Sequence, residues 1–360
     1  MMIGKINTNN YRLLIFLISI TAVINSLYFN SFDILFIYLI SLVSSLIFTN
    51  FGLQIIKKNN LLQSIREVGP KNHIKKEKTP TLGGVCFISA FLLVLLTLDI
   101  SSPGIKVLFF LCTLGFLLIG LSDDILNIKR RVNLGLNAKE KLILQFIISS
   151  TFVFSMFQIG NIDSNIIFGE NFTFDLNIFF VPLSILSIMA LSNAVNLTDG
   201  LDGLAAGCSS IVFSGLGTEI LITDNADSMI YSLICFSMAG VCAGFLKFNK
   251  YPAKIFMGDA GSLCIGGIIG FICITTGNFL TTFIMSGVFI IETLSVVIQV
   301  SYFKITKKIY GKGKRIFLMS PLHHHFELKG IHETKIVESF WKINIFLIFF
   351  SIVLKISFLQ

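Results

Sequence analysis

Charged residues are scarce in this chain. Only 13% of its 360 residues are Asp, Glu, Lys or Arg, whereas soluble domains average about 25% charged residues. Hydrophobic residues make up 54% of the sequence, and the mean hydropathy is +0.83. This composition excludes an ordinary soluble domain and predicts a protein that is embedded in a membrane.

Three familiar patterns are also missing. The seven cysteines all lie in apolar runs and form no Cys-x-x-Cys pair, which favours small buried side chains over a metal or redox motif. No Walker A glycine loop is present, so ATP-driven chemistry has no support. The apolar runs are continuous and lack the alternation that a transmembrane β-barrel needs.

Apolar runs long enough to cross a bilayer recur along the whole chain. They predict an all-α, polytopic integral membrane protein with about ten transmembrane helices, forming a single domain over residues 1–360. A short β-hairpin is expected in the loop at 159–177. The pairs Gly203 and Gly207, and Gly266 and Gly270, permit close helix packing. The ten predicted spans are residues 34–52, 82–99, 105–121, 142–158, 178–192, 203–222, 229–246, 261–276, 279–303 and 341–358.

Basic residues are concentrated between these runs. Of the 28 Lys and Arg residues, 23 fall in the four polar segments 57–78, 127–141, 247–254 and 304–335. The positive-inside rule places all four segments on the cytoplasmic side, and ten spans would then leave both termini outside. Because the segments are short loops, their charge favours an anionic substrate or anionic lipid headgroups over nucleic acid.

Residues 1–31 form an apolar N-terminal extension that has two possible placements. Residues 13–29 are strongly apolar and follow Lys5 and Arg12. They could be an extra span that starts inside, or a helix that lies in the outer interface, and the interfacial placement is preferred here. Removal as a signal peptide is not expected because no small-x-small cleavage pattern follows.

Acidic side chains stand at the ends of several apolar runs, and charge at membrane depth defaults to a functional interpretation. Asp123 and Asp124 end one run, and adjacent carboxylates repel unless a cation or a proton lies between them. Asp259 begins another run, where a helix N-terminus can meet phosphate. Mg²⁺ binds one or two carboxylates together with phosphate oxygens. The pattern predicts a metal-dependent site at one membrane face, although solvation or helix capping could explain each acid alone.

Two further polar groups accompany these acids. Asn196, Asp199 and Asp202 are spaced by three residues, which places them on neighbouring turns of one face if the segment is helical. Gly200 and Gly203 are interleaved with them and would also allow a tight turn or a close approach of the backbone. Glu292 and Gln299 lie seven residues apart inside one run and so share a helix face. An intramembrane Glu is seldom inert, and the ordinary alternative is a polar contact in the interior of the bundle.

Three consecutive histidines, His323, His324 and His325, follow a basic loop. Their side chains point in different directions, so one zinc ion cannot easily bind all three, and phosphate contact, proton transfer or a role in loop structure is favoured. Lys76 and Lys141 stand out among the lysines because they adjoin or lie within polar motifs. Membrane topology explains most of the other basic residues.

These motifs, taken together and in this order, resemble those of the polyprenyl-phosphate N-acetylhexosamine-1-phosphate transferases. The resemblance runs from about Gly69 to the end of the chain, and the triple histidine followed by Phe-Glu-Leu-Lys-Gly is similar to the muramoyl branch of that family. The matching stretches are Gly69–Pro70, Thr79–Gly84, Ser122–Asp124, Asn193–Gly203, Asn249–Asp259, Glu292–Gln299 and Pro321–Gly330.

The resemblance implies a reaction and a setting. The muramoyl branch would transfer phospho-N-acetylmuramoyl-pentapeptide from its UDP carrier to undecaprenyl phosphate, giving lipid I and UMP, and would require Mg²⁺. The resemblance also implies ten spans and a homodimer in the bacterial cytoplasmic (inner) membrane, in contact with membrane lipids. The active site would face the cytoplasm, and no nucleic acid would take part.

The resemblance also implies roles for individual residues. Asp259 would hold Mg²⁺, Asp123 would deprotonate the lipid phosphate, and Asp124 would help to bind or orient one of the two. His324 and His325 would join these aspartates as catalytic residues. The residues expected to bind substrate are Lys76, Asn196, Asp199 and Phe256 on the nucleoside side, and Lys141, Asp202, Asn249, Gln299 and His323 elsewhere.

Three other functions are compatible with parts of the pattern. A sister transferase would use UDP-N-acetylglucosamine for a different polymer. An ion-coupled transporter or flippase would use Glu292 and other acids as cation ligands, and it predicts acids near the bilayer midplane. Most of the acids here lie at span ends instead. A noncatalytic scaffold is disfavoured because the set of acids is intact.

Overall fold

The computed structural model describes residues 9–59, 61, 79–98, 103–130, 135–160, 162, 164–169, 172–223 and 227–359. These residues form helices almost throughout, as the apolar runs predict. The helices are α1 (Asn9–Tyr28), α2 (Phe32–Lys58), α3 (Gly83–Thr97), α4 (Pro103–Arg130), α5 (Ala138–Ile159), α6 (Phe180–Thr198), α7 (Leu204–Ile222), α8 (Ser228–Asn249), α9 (Asp259–Thr276), α10 (Phe279–Met285), α11 (Gly287–Tyr310), α12 (Leu322–Leu328) and α13 (Glu333–Leu359).

Ten of the described helices are long and apolar enough to cross a membrane, which confirms the all-α, polytopic fold. The set of ten differs from the predicted set at three places. Helix α1 belongs to it, whereas α3 has only 15 residues and falls short. The predicted run 279–303 is divided at Ser286 into the short helix α10 and the long helix α11.

The core lies around α7, α8 and α9, whose residues are almost all buried. Glycines let neighbouring backbones approach them closely. A Cβ on Gly266 of α9 would lie 2.2 Å from the carbonyl oxygen of Leu191 in α6, and one on Gly270 would lie 2.7 Å from Ile188 Cα. The close packing predicted for Gly266 and Gly270 is therefore confirmed, in the small-residue mode typical of membrane helices.

The predicted β-hairpin is confirmed at the end of the bundle where α9 finishes. Strands β1 (Asn165–Gly169) and β2 (Phe172–Asp175) pair in antiparallel fashion. The Ile167 amide donates to the Gly277 carbonyl at 3.0 Å, which fastens the hairpin to the turn after α9. The hairpin thus lies at the opposite end of α9 from Asp259, which begins that helix.

Contacts along α1 favour the crossing alternative over a helix lying flat in the interface. Near its start, the Tyr11 ring lies under the Lys250 ammonium, 3.2 Å from the ring centroid, at the end of α8. In its middle, the Ser19 hydroxyl is 3.1 Å from that of Tyr38 on α2. Near its end, the Asn25 amide donates to the Thr218 hydroxyl of α7 at 3.0 Å. Because α7 and α8 are consecutive and antiparallel, these contacts extend along nearly their whole length.

The N-terminal end of α1 should therefore be on the opposite side of the membrane from its C-terminal end. We expect Asn10→Cys and Tyr28→Cys to react with a membrane-impermeant maleimide from opposite sides, measured in right-side-out and inverted vesicles. The seven native cysteines are buried and give a low background. Phe32→Cys, at an exposed position after the turn, is the control and should react from the same side as Tyr28→Cys. Reaction of Asn10→Cys from that side too would contradict the crossing.

A buried polar network ties the last helix to the end of the bundle that carries the hairpin. Lys355 of α13 is 1% exposed, and its ammonium donates to the Asn278 side-chain oxygen at 2.9 Å. Glu219 of α7 is also 1% exposed; it accepts the Thr281 hydroxyl at 2.5 Å and interacts electrostatically with Lys355. Removing one charge would leave the other buried without an oppositely charged neighbour, which destabilises the folded protein.

Lys355→Met should accordingly lower the thermal unfolding midpoint, followed by the fluorescence of Trp341 in detergent. Lys342→Met removes an exposed lysine from the same helix and should leave the midpoint nearly unchanged. The double variant Glu219→Gln/Lys355→Met should recover most of the loss because no buried charge is left alone. Equal midpoints for the Lys355 variant and the double variant would contradict this account of the pair.

Candidate active site

Three carboxylates from two helices meet at the end of the bundle opposite the hairpin. Asp123 and Asp124 lie near the end of α4, and Asp259 is the first residue of α9. One oxygen from each carboxylate lies within 4.8 Å of the others, and this is the one such group of His, Cys, Asp and Glu among the described residues. Gly120 allows the approach, because a Cβ there would lie 2.3 Å from the Asp259 carbonyl oxygen.

Asp124 binds the amino end of α9 from across the helix interface. Its two carboxylate oxygens accept the backbone amides of Asp259 and Ala260, each at 3.1 Å. Negative charge is favoured at a helix N-terminus, so this contact offsets the unfavourable position of Asp124 near the end of its own helix. Gly258 precedes α9 with φ +73°, and a Cβ there would meet Asp124 Oδ2 at 2.5 Å, so the turn requires glycine.

Asp123 is held on the opposite flank of the cluster. Its carboxylate accepts the Leu136 amide and the Asn127 side-chain amide, both at 2.9 Å. The Lys141 ammonium lies 3.1 Å from Asp123 Oδ1 and 2.6 Å from Asp259 Oδ2, so it bridges two of the three acids. Three carboxylates and one ammonium leave two formal negative charges, which suits a divalent cation.

The donor set also fits Mg²⁺ in kind. Carboxylate oxygens are the hard ligands that this ion prefers, and it needs only one or two of them beside phosphate oxygens and water. Both carboxylate oxygens of Asp124 already accept hydrogen bonds from backbone amides. Asp259 is better placed as a ligand because its side chain is 22% exposed, against 7% for Asp123.

Asn196 and Asp199 lie beside this cluster, but the predicted helical face does not form. Helix α6 ends at Thr198, and Gly203 adopts φ +82°, so Asp199 and Asp202 lie in a turn. Of the two possibilities for this segment, the tight turn allowed by Gly200 and Gly203 is the one that forms. The Asn196 amide donates to Asp259 Oδ1 at 2.7 Å and to the Ser262 hydroxyl at 2.9 Å.

Asp199 is half-buried and surrounded by negative charge. Burial, with Asp259 and then Asp202 adding repulsion, raises the pKa of Asp199 to about 7. Its proton would therefore be lost more readily when a cation enters the cluster.

Asp202 and Asn249 bind backbone groups in this structure. Asp202 Oδ2 accepts the Ala253 amide at 2.8 Å. The Asn249 side chain accepts the Gly203 amide at 3.1 Å and donates to the Ile255 carbonyl at 3.0 Å. Both residues thus fasten the turn after α6 to the segment before α9, which shapes the floor of the site.

Phe256 is half-buried in that same segment. Its amide donates to the Pro80 carbonyl, and its carbonyl accepts the Gly83 amide, both at 2.8 Å. This pairing brings the predicted Thr79–Gly84 motif against the start of α9. Lys76, which was also expected on the nucleoside side, lies outside the described residues.

The three histidines have three different partners, as their sequence positions predict. His323 is fully buried, and its Nδ1 lies 3.1 Å from Glu292 Oε2. His324 Nδ1 lies 2.8 Å from Glu327 Oε2. His325 Nδ1 accepts the Leu318 amide at 3.1 Å, and burial, with a smaller effect of Lys329, lowers the pKa of His325.

Gln299 holds the loop in front of these histidines. Its side-chain oxygen accepts the amides of Ile316 at 2.9 Å and Phe317 at 3.0 Å, and its nitrogen donates to the Phe317 carbonyl at 2.9 Å. Glu292 lies two turns before Gln299 on α11, and its carboxylate accepts the His323 amide at 3.2 Å. The shared face predicted for Glu292 and Gln299 therefore positions the loop and the histidines.

Several supporting residues were not singled out from the sequence. Asn127 orients Asp123 from four residues away, a spacing that could have suggested the contact. Glu327 lies three residues beyond His324, which is a similar signal. Glu333 accepts the Asp202 amide at 2.7 Å across 131 residues, and no local pattern could have suggested that contact.

Comparison with known proteins assigns the chain to a family. The family model described as Glycosyl transferase family 4 matches residues 106–277, which run from α4 through α9. The phospho-N-acetylmuramoyl-pentapeptide-transferase of Prochlorococcus marinus subsp. pastoris is 55% identical over 359 residues, covering 99% of this chain and 100% of that protein. The protein of the same name from Shouchella clausii is 41% identical over 314 residues, covering 86% of this chain and 94% of its own length. With such identity along nearly its full length, the chain belongs to the phospho-N-acetylmuramoyl-pentapeptide-transferase family.

Proposed function

We propose that this protein transfers phospho-N-acetylmuramoyl-pentapeptide from its UDP carrier to undecaprenyl phosphate, releasing UMP and leaving lipid I in the membrane. This is the first membrane step of peptidoglycan synthesis. The observation that carries the proposal is the cluster of Asp123, Asp124 and Asp259 with Lys141, held at one end of a bundle of apolar helices. Full-length similarity to transferases of that name supports the same reaction.

The chemistry explains why such a cluster is useful. The acceptor phosphate and the donor pyrophosphate are both anionic, so positive charge must screen their approach and stabilise the departing UMP. Bound Mg²⁺, held by Asp259, would supply that charge and polarise the phosphoryl oxygens. The two unbalanced negative charges of the cluster favour a divalent cation over a second lysine.

Asp123 is the proposed base for the lipid phosphate. Its carboxylate is oriented by the Leu136 amide and by Asn127, so one face stays directed towards Lys141 and Asp259. Lys141 is close enough to both acids to hold them together before substrate arrives. Asp124 acts by positioning, because it fixes the helix start from which Asp259 projects.

The UDP moiety would lie on the side of the cluster that carries Asn196, Asp199 and Phe256, with Lys76 closing it. Asn196 already contacts Asp259, so a nucleotide bound there would place its pyrophosphate beside the acids. His324 and His325 are the proposed contacts for the sugar phosphate on the α12 side. Asp202, Asn249, Gln299 and His323 are proposed to complete the wall, directly or by holding the loops that form it.

The setting is proposed on the same basis. Exposed lysines gather at the end of the bundle that carries the acids, and by the positive-inside rule this supports a cytoplasmic position for that end. The bacterial relatives support the inner membrane as the location. The lysines would also attract a highly charged sugar nucleotide. A homodimer is proposed from the family resemblance.

Loss of the carboxylate of Asp259 or of Asp123 should abolish most of the transferase activity. We expect Asp259→Asn and Asp123→Asn each to lower UMP release at least about 100-fold, because one loses a metal ligand and the other a base. Asp33→Asn, an exposed acid on the first turn of α2, is the matched control and should remain near wild type. Near-normal turnover in both site variants would remove the basis for the metal-site assignment.

The donor decides between the proposed reaction and that of a sister transferase. The purified protein in detergent, supplied with undecaprenyl phosphate and Mg²⁺, should release UMP from UDP-N-acetylmuramoyl-pentapeptide and not from UDP-N-acetylglucosamine. Omission of Mg²⁺ or addition of a chelator should stop release. Release from the N-acetylglucosamine donor would assign the protein to the sister branch, and silence with both donors from folded protein would refute transferase activity.

A further inference from the structure

A strongly basic arm extends from α11, and its cations have no assigned contact with the reacting groups. The arm is defined as Tyr302–Leu318, comprising the last turns of α11 and the loop that follows. No acidic residue occurs between Glu292 and Glu327. The arm carries six exposed cations, and within the described part of the chain none of them pairs with an acid; they are Lys304, Lys307, Lys308, Lys312, Lys314 and Arg315.

The arm is a folded unit. The Thr306 hydroxyl accepts the Lys314 amide at 2.8 Å, which brings the loop back onto the helix. Gly313 packs against Phe303, since a Cβ there would lie 2.4 Å from the ring. Gln299 fixes Ile316 and Phe317 at the base of the arm. The six cations therefore occupy a defined surface.

The length of the helix places this surface at the level of lipid headgroups. Helices α10 and α11 together run from Phe279 to Tyr310 with one break at Ser286. At 1.5 Å per residue, about 20 residues cross a hydrocarbon core of about 30 Å, which reaches to the neighbourhood of Gln299. The arm begins where that core ends, on the side that carries the acidic cluster.

The helical part of the arm is amphipathic. Lys304, Lys307 and Lys308 share one face, because they are spaced by one, three and four residues. On the opposite face, Ile305 and Ile309 are 56% and 64% exposed. An exposed apolar face beside a lysine-rich face is typical of helices that lie in the membrane interface.

We propose that the arm binds the headgroups of anionic lipids in the leaflet on the side of the active site. Six exposed cations that pair with no acid among the described residues, together with the apolar face of the helical part, complement a negatively charged lipid layer. Each near-surface cation adds about fivefold in affinity for such a layer. The arm also touches the site, because the Leu318 amide donates to His325 at 3.1 Å. It therefore gathers phosphate-bearing lipids beside the place where a lipid phosphate would react.

Fluorescence quenching tests the proposal without any turnover. Tyr310→Trp puts a probe on the arm at a position that is 65% exposed, and the signal of buried Trp341 is subtracted using the unsubstituted chain. The protein is reconstituted in zwitterionic vesicles that contain a fixed fraction of brominated phosphatidylglycerol or brominated phosphatidylcholine. We expect phosphatidylglycerol to be enriched around the probe at least about fivefold, the effect of one engaged cation, and this preference to disappear at high salt.

Charge variants distinguish the effect of the arm's cations on the lipid preference from the effect of the protein's overall charge. Changing the six arm cations to Gln in the Tyr310→Trp background should abolish the preference. Exchanging the five lysines for Arg and Arg315 for Lys keeps every charge and should retain the preference. The matched control changes six other exposed lysines to Gln, and it should keep the preference; these are Lys57, Lys58, Lys129, Lys139, Lys247 and Lys254.

Three outcomes would overturn the proposal. Equal quenching by both lipids would show that the arm does not recognise headgroup charge. A preference that survives in the Gln variant would place the recognition elsewhere. Loss of the preference on adding soluble glycerol phosphate would indicate a site for free phosphate instead of a lipid surface. Because UMP release is not measured, failure here leaves the proposed transferase reaction unaffected.

Discussion

The contact between Asp124 and the amino end of α9 organises the end of the bundle that carries the acidic cluster. The Asp124 carboxylate of α4 accepts two backbone amides of α9. If the two helices slid past each other, these amides and the carboxylate would lose their hydrogen-bond partners. Asp259 projects from that same helix start and is thereby brought to Lys141 and Asn196. Gly120 and Gly258 permit this contact, because a side chain at either position would clash with Asp259 or with Asp124.

The acidic cluster carries an excess of negative charge in largely apolar surroundings. Every acid of the triad has a partner supplied by the protein, yet two negative charges remain in a region bounded by apolar helices. In a medium of low polarity such an excess is costly, and a bound cation or a captured proton removes it. The raised pKa of Asp199 is the response of a neighbouring group to the same excess.

The sequence predicts the class of fold and the chemical composition of the site better than their geometry. Long apolar runs identify the helices, and charged residues are rare enough there for Asp123, Asp124 and Asp259 to stand out. The sequence predicts a break in this region but not its exact position: the predicted span ends at residue 192, whereas α6 continues to Thr198 before the turn that contains Gly200 and Gly203. It also cannot predict whether residues 13–29 lie flat or cross, since that depends on partners distant in sequence, such as Thr218.

The shortness of α3 bears on how a lipid reaches the reacting groups. Its 15 residues extend about 22 Å, whereas the hydrocarbon core of a bilayer is about 30 Å thick. With the far end of α3 at the opposite hydrocarbon boundary, and a bilayer of unchanged thickness, the turn before α3 and the paired segment at Phe256 would lie about 8 Å below the surface. A thinner bilayer would instead draw the leaflet inwards around them. For the reaction proposed above, a phosphate on a membrane-anchored chain would then meet these segments at the depth of its own headgroup, so the lipid would not have to leave the bilayer.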